Sequence, residues 1–161
     1  MTVIDFNESV DKYADSVYRF ILKQIRDSDK AKDIVQDTFE KVWLNTQNID
    51  SNKAKSYIFT TAYHTLIDVV RREKKQDKIK EADLRTLKHE EQYSDLKELL
   101  NQAVDKLPEI QRSVVLLRDY EGYSYQEIGE ILNLSESQVK VYIYRARLFL
   151  KNYIGTLQTV I

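Results

Sequence analysis

The side chains with the most chemistry to offer fall in two stretches, and neither is arranged for making or breaking bonds. In "SYIFTTAYHTLIDVVRRE" and the two lysines after it, Tyr57, Thr61, His64, Asp68, Arg71 and Lys75 recur at i, i+4, i+7, i+11, i+14 and i+18, with Arg72 beside them. On a helix this is one stripe, aromatic at its start and basic at its end. Rings stack on bases and cations attract phosphates, so the stripe suits unpaired nucleic acid. Phe59 and Tyr63, interleaved with it, are at least as well explained by core filling. The second stretch, "LSESQVKVYIYRARLFLK", crowds Lys140, Tyr142, Tyr144, Arg145 and Arg147 into two helical turns.

Catalytic and metal chemistry find little support. The absence of Cys excludes disulfides, thiolate sites and a Cys nucleophile, and it suits a reducing cytoplasm. Of the two imidazoles, His64 has Asp68 one turn on and His89 sits among carboxylates, yet neither has a second His at ligand spacing. No nucleophile, base and orienting group stand at recognisable spacing, so the expectation is a protein that is not an enzyme and holds no metal or cofactor.

The elements that must carry these residues are marked by their caps. Ser124 and Glu127 form a capping-box pair, and Ser135 with Gln138 repeats it, so two helices start eleven residues apart. Tyr123 with Ile128, and Leu134 with Val139, supply the hydrophobic staples. Asn133 fills a turn that needs positive φ, and Gly129 leaves room for the second helix to cross close to the first. This is the pattern of a helix-turn-helix, whose second helix enters the major groove. In that helix Val139, Ile143, Ala146 and Leu150 face inward, while Lys140, Val141, Tyr144, Arg145 and Leu148 face out. A helical hairpin with a solvated basic face is the plainer alternative, and the doubled capping boxes favour DNA.

A third feature is acidic. Asp33, Gln36, Asp37 and Glu40, at i, i+3, i+4 and i+7, make one face opposite Val35, Phe39 and Val42. Like charges at this spacing cost about 0.2–0.5 kcal/mol per pair, partly offset by Asp37 with Lys41. The face suits an electropositive protein partner, with a merely solvated face as the alternative.

With 161 residues, three Gly, one Pro, 42% apolar and 32% charged residues, the composition fits two small helix-rich units better than one large core. Periodicity predicts helices from about Asn7 to Ile25, from Ser28 or Asp29 to Trp43–Gln47, and from Ala54 to Lys75. After a charged, apolar-poor stretch from Gln76 to Gln92, helices follow from Asp95 to Lys106 and from Pro108 to Gly122, with Arg112 and Arg118 toward water. The formal net charge of −1 conceals basic concentrations at Arg71–Lys80 and Ser135–Lys151. "MTVIDFNESV" has no signal-peptide character, and nowhere do eighteen apolar residues run together, so neither secretion nor membrane insertion is expected.

Taken together, these stretches resemble the extracytoplasmic-function (ECF) sigma factors of bacterial RNA polymerase. "DIVQDTFEKVW" is similar to that family's core-binding motif, "SYIFTTAYHTLIDVVRRE" to its promoter-melting and minus-ten-reading helix, and "LPEIQRSVVLLRDYEGYSYQEIGEILNLSESQVKVYIYRAR" to its minus-thirty-five-reading domain. The resemblance implies an all-α chain of two small helical bundles joined by a flexible linker. Residues 1–75 would bind polymerase and the minus-ten element, 76–94 would be the linker, and 95–161 would bind the minus-thirty-five element. It implies that Asp33, Gln36, Asp37 and Glu40 dock on core RNA polymerase. Tyr57, Thr61, His64, Asp68, Arg71, Arg72 and Lys75 would meet unpaired minus-ten DNA, including a flipped base. Ser135, Ser137, Gln138, Lys140, Val141, Tyr144 and Arg145 would meet promoter duplex upstream. It further implies a cytoplasmic protein with a membrane-associated anti-sigma partner. Two departures bear on promoter sequence: His64 stands where the family commonly has Asn, and Val141-Tyr142 where it commonly has Ser-Arg. The rival expectation is a DNA-binding regulator whose N-terminal bundle senses a ligand or dimerises without touching polymerase.

Overall fold

The computed structural model describes residues 1–80 and 96–160. The first helix, α1, spans Val3–Ile25, starting earlier than periodicity predicts because Thr2 and Asp5 cap each other. The Asp5 N–H donates to Thr2 Oγ1 at 3.1 Å and the Thr2 N–H to the Asp5 carboxylate at 3.3 Å. Arg26 closes α1 in the left-handed region, at φ 56°. Asp27 then caps α2, Ser28–Leu44, by accepting from the Asp29 and Lys30 N–H groups, both at 3.1 Å.

Two 3₁₀ turns, Thr46–Asn48 and Ser51–Lys53, lead into α3, Ala54–Lys80. This helix continues beyond its expected end at Lys75, so the start of the predicted connector is helical; residues 81–95 lie outside the described residues. The C-terminal segment holds α4, Leu96–Asp105, and α5, Glu109–Val115, which passes into a π-helical turn, Leu116–Tyr120. Pro108 sits at the N-cap of α5 rather than inside it. Gly122, at φ +75°, turns the chain toward α6, Tyr125–Leu132, and α7, Glu136–Val160.

Helices α1–α3 form one bundle and α4–α7 the other. The inward side of α2 is Ala31, Ile34, Thr38 and Val42. Val35 and Phe39, expected on that side, are half-buried and pack against the edge of the core, while Ile34 and Thr38 face inward, the Thr38 hydroxyl donating to the Ile34 carbonyl at 2.7 Å. In the second bundle Val114, Leu117, Ile128, Ile131, Val139 and Ile143 are buried.

The two bundles share a contiguous apolar core. Its seam is Phe59, wholly buried, which meets Phe20 at 6.1 Å and Tyr123 edge-on at 5.1 Å. Polar pairs border the seam. Arg19 grips the buried Glu121 carboxylate through two bonds of 2.8 and 3.3 Å, and Arg26 Nε reaches Asp105 at 3.0 Å. Arg112, expected toward water, turns inward and donates to Gln24 at 2.6 Å and to the Asp105 and Leu107 carbonyls at 3.3 Å. Carbonyls freed at the end of α4 draw it there, and burial lowers its pKa. Ion pairs exposed to water contribute about 0–1 kcal/mol each, whereas burying a Phe contributes about 1.5–3, so the apolar seam dominates the adhesion.

Candidate nucleic-acid interface

The helix-turn-helix is built from its caps inward. Ser124 and Glu127 bond reciprocally, each at 3.1 Å, and Ser135 and Gln138 do the same at 3.1 and 2.9 Å. Between them Asn133 adopts φ 57°, and the Leu134 N–H bonds the Gly129 carbonyl at 2.9 Å. A Cβ on Gly129 would stand 2.6 Å from the Leu134 carbonyl oxygen but 3.9 Å from Val139 Cγ2. The glycine therefore makes room chiefly for the backbone of the turn, rather than for the second helix as the sequence predicts.

On α7, Val139, Ile143 and Ala146 are buried and Leu150 is half-buried. Ser135, Ser137, Gln138, Lys140, Val141, Tyr144 and Arg145 are exposed and share the outward side, with Tyr144 69% exposed. Arg147 points elsewhere: it clamps Asp119 with bonds of 3.1 and 2.5 Å. Tyr125, on α6, has two cations near its ring, Arg118 at 4.4 Å and Lys140 at 5.8 Å from the ring centre. Arg118 also donates to the Tyr123 carbonyl at 2.8 Å, so it is held against the ring rather than pointing toward water as expected. Residues this far apart leave no mark in the periodicity, and sequence reasoning misses Arg118 and Tyr125 as a pair.

The α3 stripe divides in two. Tyr57 and Thr61 are half-buried: the Tyr57 hydroxyl accepts from the Asn45 amide, and the Thr61 hydroxyl donates to the Tyr57 carbonyl at 2.8 Å. His64, Asp68, Arg71, Arg72 and Lys75 are exposed. An open cleft of about 450 Å³ joins His64, Asp68 and Arg71 to Tyr63, Ile67 and Glu109. There the Tyr63 hydroxyl donates to the Glu109 carboxylate, and burial followed by that bond raises the phenol pKa far above its ordinary value. The hydroxyl thus stays a donor. Neither Tyr63 nor Glu109 stands out as a site residue in the sequence, since their meeting spans two bundles.

Asp33, Gln36, Asp37 and Glu40 are all exposed on one side of α2. Lys41, expected to offset Asp37, instead donates to the Thr65 hydroxyl at 2.9 Å. The acidic face continues toward two exposed apolar side chains, Trp43 (46%) and Leu44 (79%). Among the described residues no helix is long and apolar enough to cross a membrane.

An acid-faced helix, a basic-ended helix and a helix-turn-helix thus follow one another along the chain. Residues 10–76 match Sigma-70 region 2 and residues 97–150 match Sigma-70, region 4. The chain is 31% identical over 150 residues to the ECF RNA polymerase sigma factor SigM of Bacillus subtilis, covering 90% of this chain and 92% of that one. It is 32% identical over 149 residues to the RNA polymerase sigma factor YlaC of the same organism, covering 87% and 86%. Its fold matches the sigma factor RpoE, solved in complex with the anti-sigma factor NepR from Bartonella quintana. The TM-score is 0.77 at 24% identity, over 95% of this chain and 98% of that one. The chain belongs to the ECF sigma factor family of RNA polymerase: it is a sigma factor that directs promoter-specific transcription. A regulator that never touches polymerase is not favoured.

Proposed function

We propose a division of labour along the chain. Residues 1–75 bind core polymerase through Asp33, Gln36, Asp37 and Glu40 and hold unpaired minus-ten DNA on His64, Asp68, Arg71, Arg72 and Lys75, with Tyr57 and Thr61 bracing the stripe. Residues 76–94 link the two functions, and 95–161 place the outward side of α7 in the major groove of the minus-thirty-five element. The observation that carries this reading is the coexistence, on one chain, of an α2 acidic face without the expected Lys41 partner and an α7 outward face left exposed by its own fold. Binding energy takes the place of catalysis: each good base contact contributes about 1–3 kcal/mol, and unstacking a base costs a few. The protein works in the cytoplasm, performs no bond chemistry of its own, and is held in check by an anti-sigma partner.

Reconstitution with purified core polymerase tests the reading. Asp37→Lys reverses one charge of the acidic face at an exposed position and should weaken competition for core at least tenfold while leaving the circular dichroism unchanged. A reversed protein that competes as well as the parent would make the face a solvated one.

A further inference from the structure

Recognition of the upstream element by α7 leaves open which base is read, and the cap at the start of that helix restricts the answer. Gln138 is both an exposed base-facing residue and half of the capping pair. Its Oε1 accepts the Ser135 N–H at 2.9 Å, and since a backbone N–H can only donate, the amide oxygen is fixed toward the cap. That oxygen keeps a second lone pair, but with the oxygen turned to the cap the group offered to a ligand is the Nε2 amino group, a donor. An uncommitted Gln pairs with adenine through a donor and an acceptor together, and the cap turns this oxygen out of the position that such bidentate pairing needs.

Val141 lies one turn along the same side, 44% exposed, and Arg145 one turn further. Gln138, Val141 and Arg145, with Ser137 and Tyr142, line a shallow hollow of about 190 Å³. The hollow thus offers a donor, then an apolar surface, then a cation. Only thymine presents an acceptor and a methyl group together on its major-groove edge, O4 beside C5-methyl. Cytosine would set its amino group against the Gln138 amino group. Guanine would satisfy the donor through O6 but leave Val141 without an apolar partner.

Resting on the reading that α7 enters the upstream duplex, we propose that Gln138 and Val141 together select a thymine in the minus-thirty-five element, Gln138 donating to O4 and Val141 packing on the methyl.

The test uses the full chain assembled with bacterial core RNA polymerase and a promoter library randomised across the upstream element, with the bound fraction sequenced. The best duplex is then remade with deoxyuridine replacing each thymidine in turn, which deletes one methyl group. One thymine position should be enriched, and uracil there should weaken binding about fourfold, the factor expected for burying one methyl. Val141→Ala should bring thymine and uracil to near equality. Gln138→Glu preserves the capping box, since Glu at this position also accepts the Ser135 N–H, but exchanges donor for acceptor. It should move the preference at that position from thymine to cytosine, whose amino group donates. Enrichment without a thymine position, equal binding of thymine and uracil by the parent, or undiminished discrimination by Val141→Ala would overturn the proposal while leaving duplex recognition by α7 intact. A library with no enriched upstream position would overturn both.

Discussion

Replacing Gly129 by Ala separates helix propensity from tertiary fit within one turn of the recognition motif. In an open helix the change should stabilise by about 1 kcal/mol, because Ala loses less backbone freedom on folding. Here the new Cβ would stand 2.6 Å from the Leu134 carbonyl oxygen, inside the 3.0 Å that such atoms essentially never breach. The obstacle is backbone, and it cannot swing aside: the Leu134 N–H is bonded to the Gly129 carbonyl at 2.9 Å and Asn133 is held at φ 57°. The cost therefore belongs at the top of the overpacking range, about 3 kcal/mol. Net destabilisation of about 2 kcal/mol lowers Tm by about 4–8 °C in a chain of this size. Gly155→Ala is the internal control, since a Cβ there meets nothing within 4 Å and should stabilise α7 by about 0.5–1 kcal/mol. Thermal melts followed by circular dichroism read both variants. A Gly129→Ala protein that melts at or above the parent, or a Gly155→Ala protein that falls as far, would refute the reasoning.

Three further outcomes follow from the geometry. Phe59→Ala empties a fully buried site between Phe20 and Tyr123 and should cost about 3–5 kcal/mol in denaturant titrations; an unchanged midpoint would contradict a core shared by the two bundles. For Glu127, burial raises the carboxyl pKa, but bonds from Lys55, the Ser124 N–H and the Ser124 hydroxyl outweigh it and hold the value below its ordinary 4.5. Its stabilisation is thus complete above pH 4.5 and lost as pH falls through the lowered folded value, so Glu127→Gln, which keeps the cap, should flatten the acid limb of a Tm-versus-pH profile. His64→Asn should change the unpaired minus-ten base preferred in a promoter selection without changing core affinity, because an amide and an imidazole present different donor and acceptor geometry; identical preferences would remove His64 from recognition.

Features confined to one helical turn were legible in the sequence. The Ser124–Glu127 and Ser135–Gln138 pairs, the positive φ at Asn133 and the buried line Val139, Ile143, Ala146 depend on residues at most a few positions apart, and the structure reproduces each. Periodicity alone places the starts of α2 and α3, at Ser28 and Ala54. The Thr2–Asp5 capping box, by contrast, makes α1 start earlier than periodicity places it.

What the sequence did not disclose is how distant residues settle one another's direction. Arg112 and Arg118 have the spacing of solvated residues, yet one is drawn inward by Gln24 and the carbonyls ending α4, and the other is laid on Tyr125. Arg147 belongs to the basic stretch of α7 by sequence and to Asp119 by structure, and Tyr63 finds Glu109 across the two bundles. A capping box is closed by hydrogen bonds within four residues, so composition and spacing specify it. A guanidinium's choice between water, a phosphate and a carboxylate depends on which remote surface the packing of whole helices brings within about 3 Å, and no short window of sequence contains that surface.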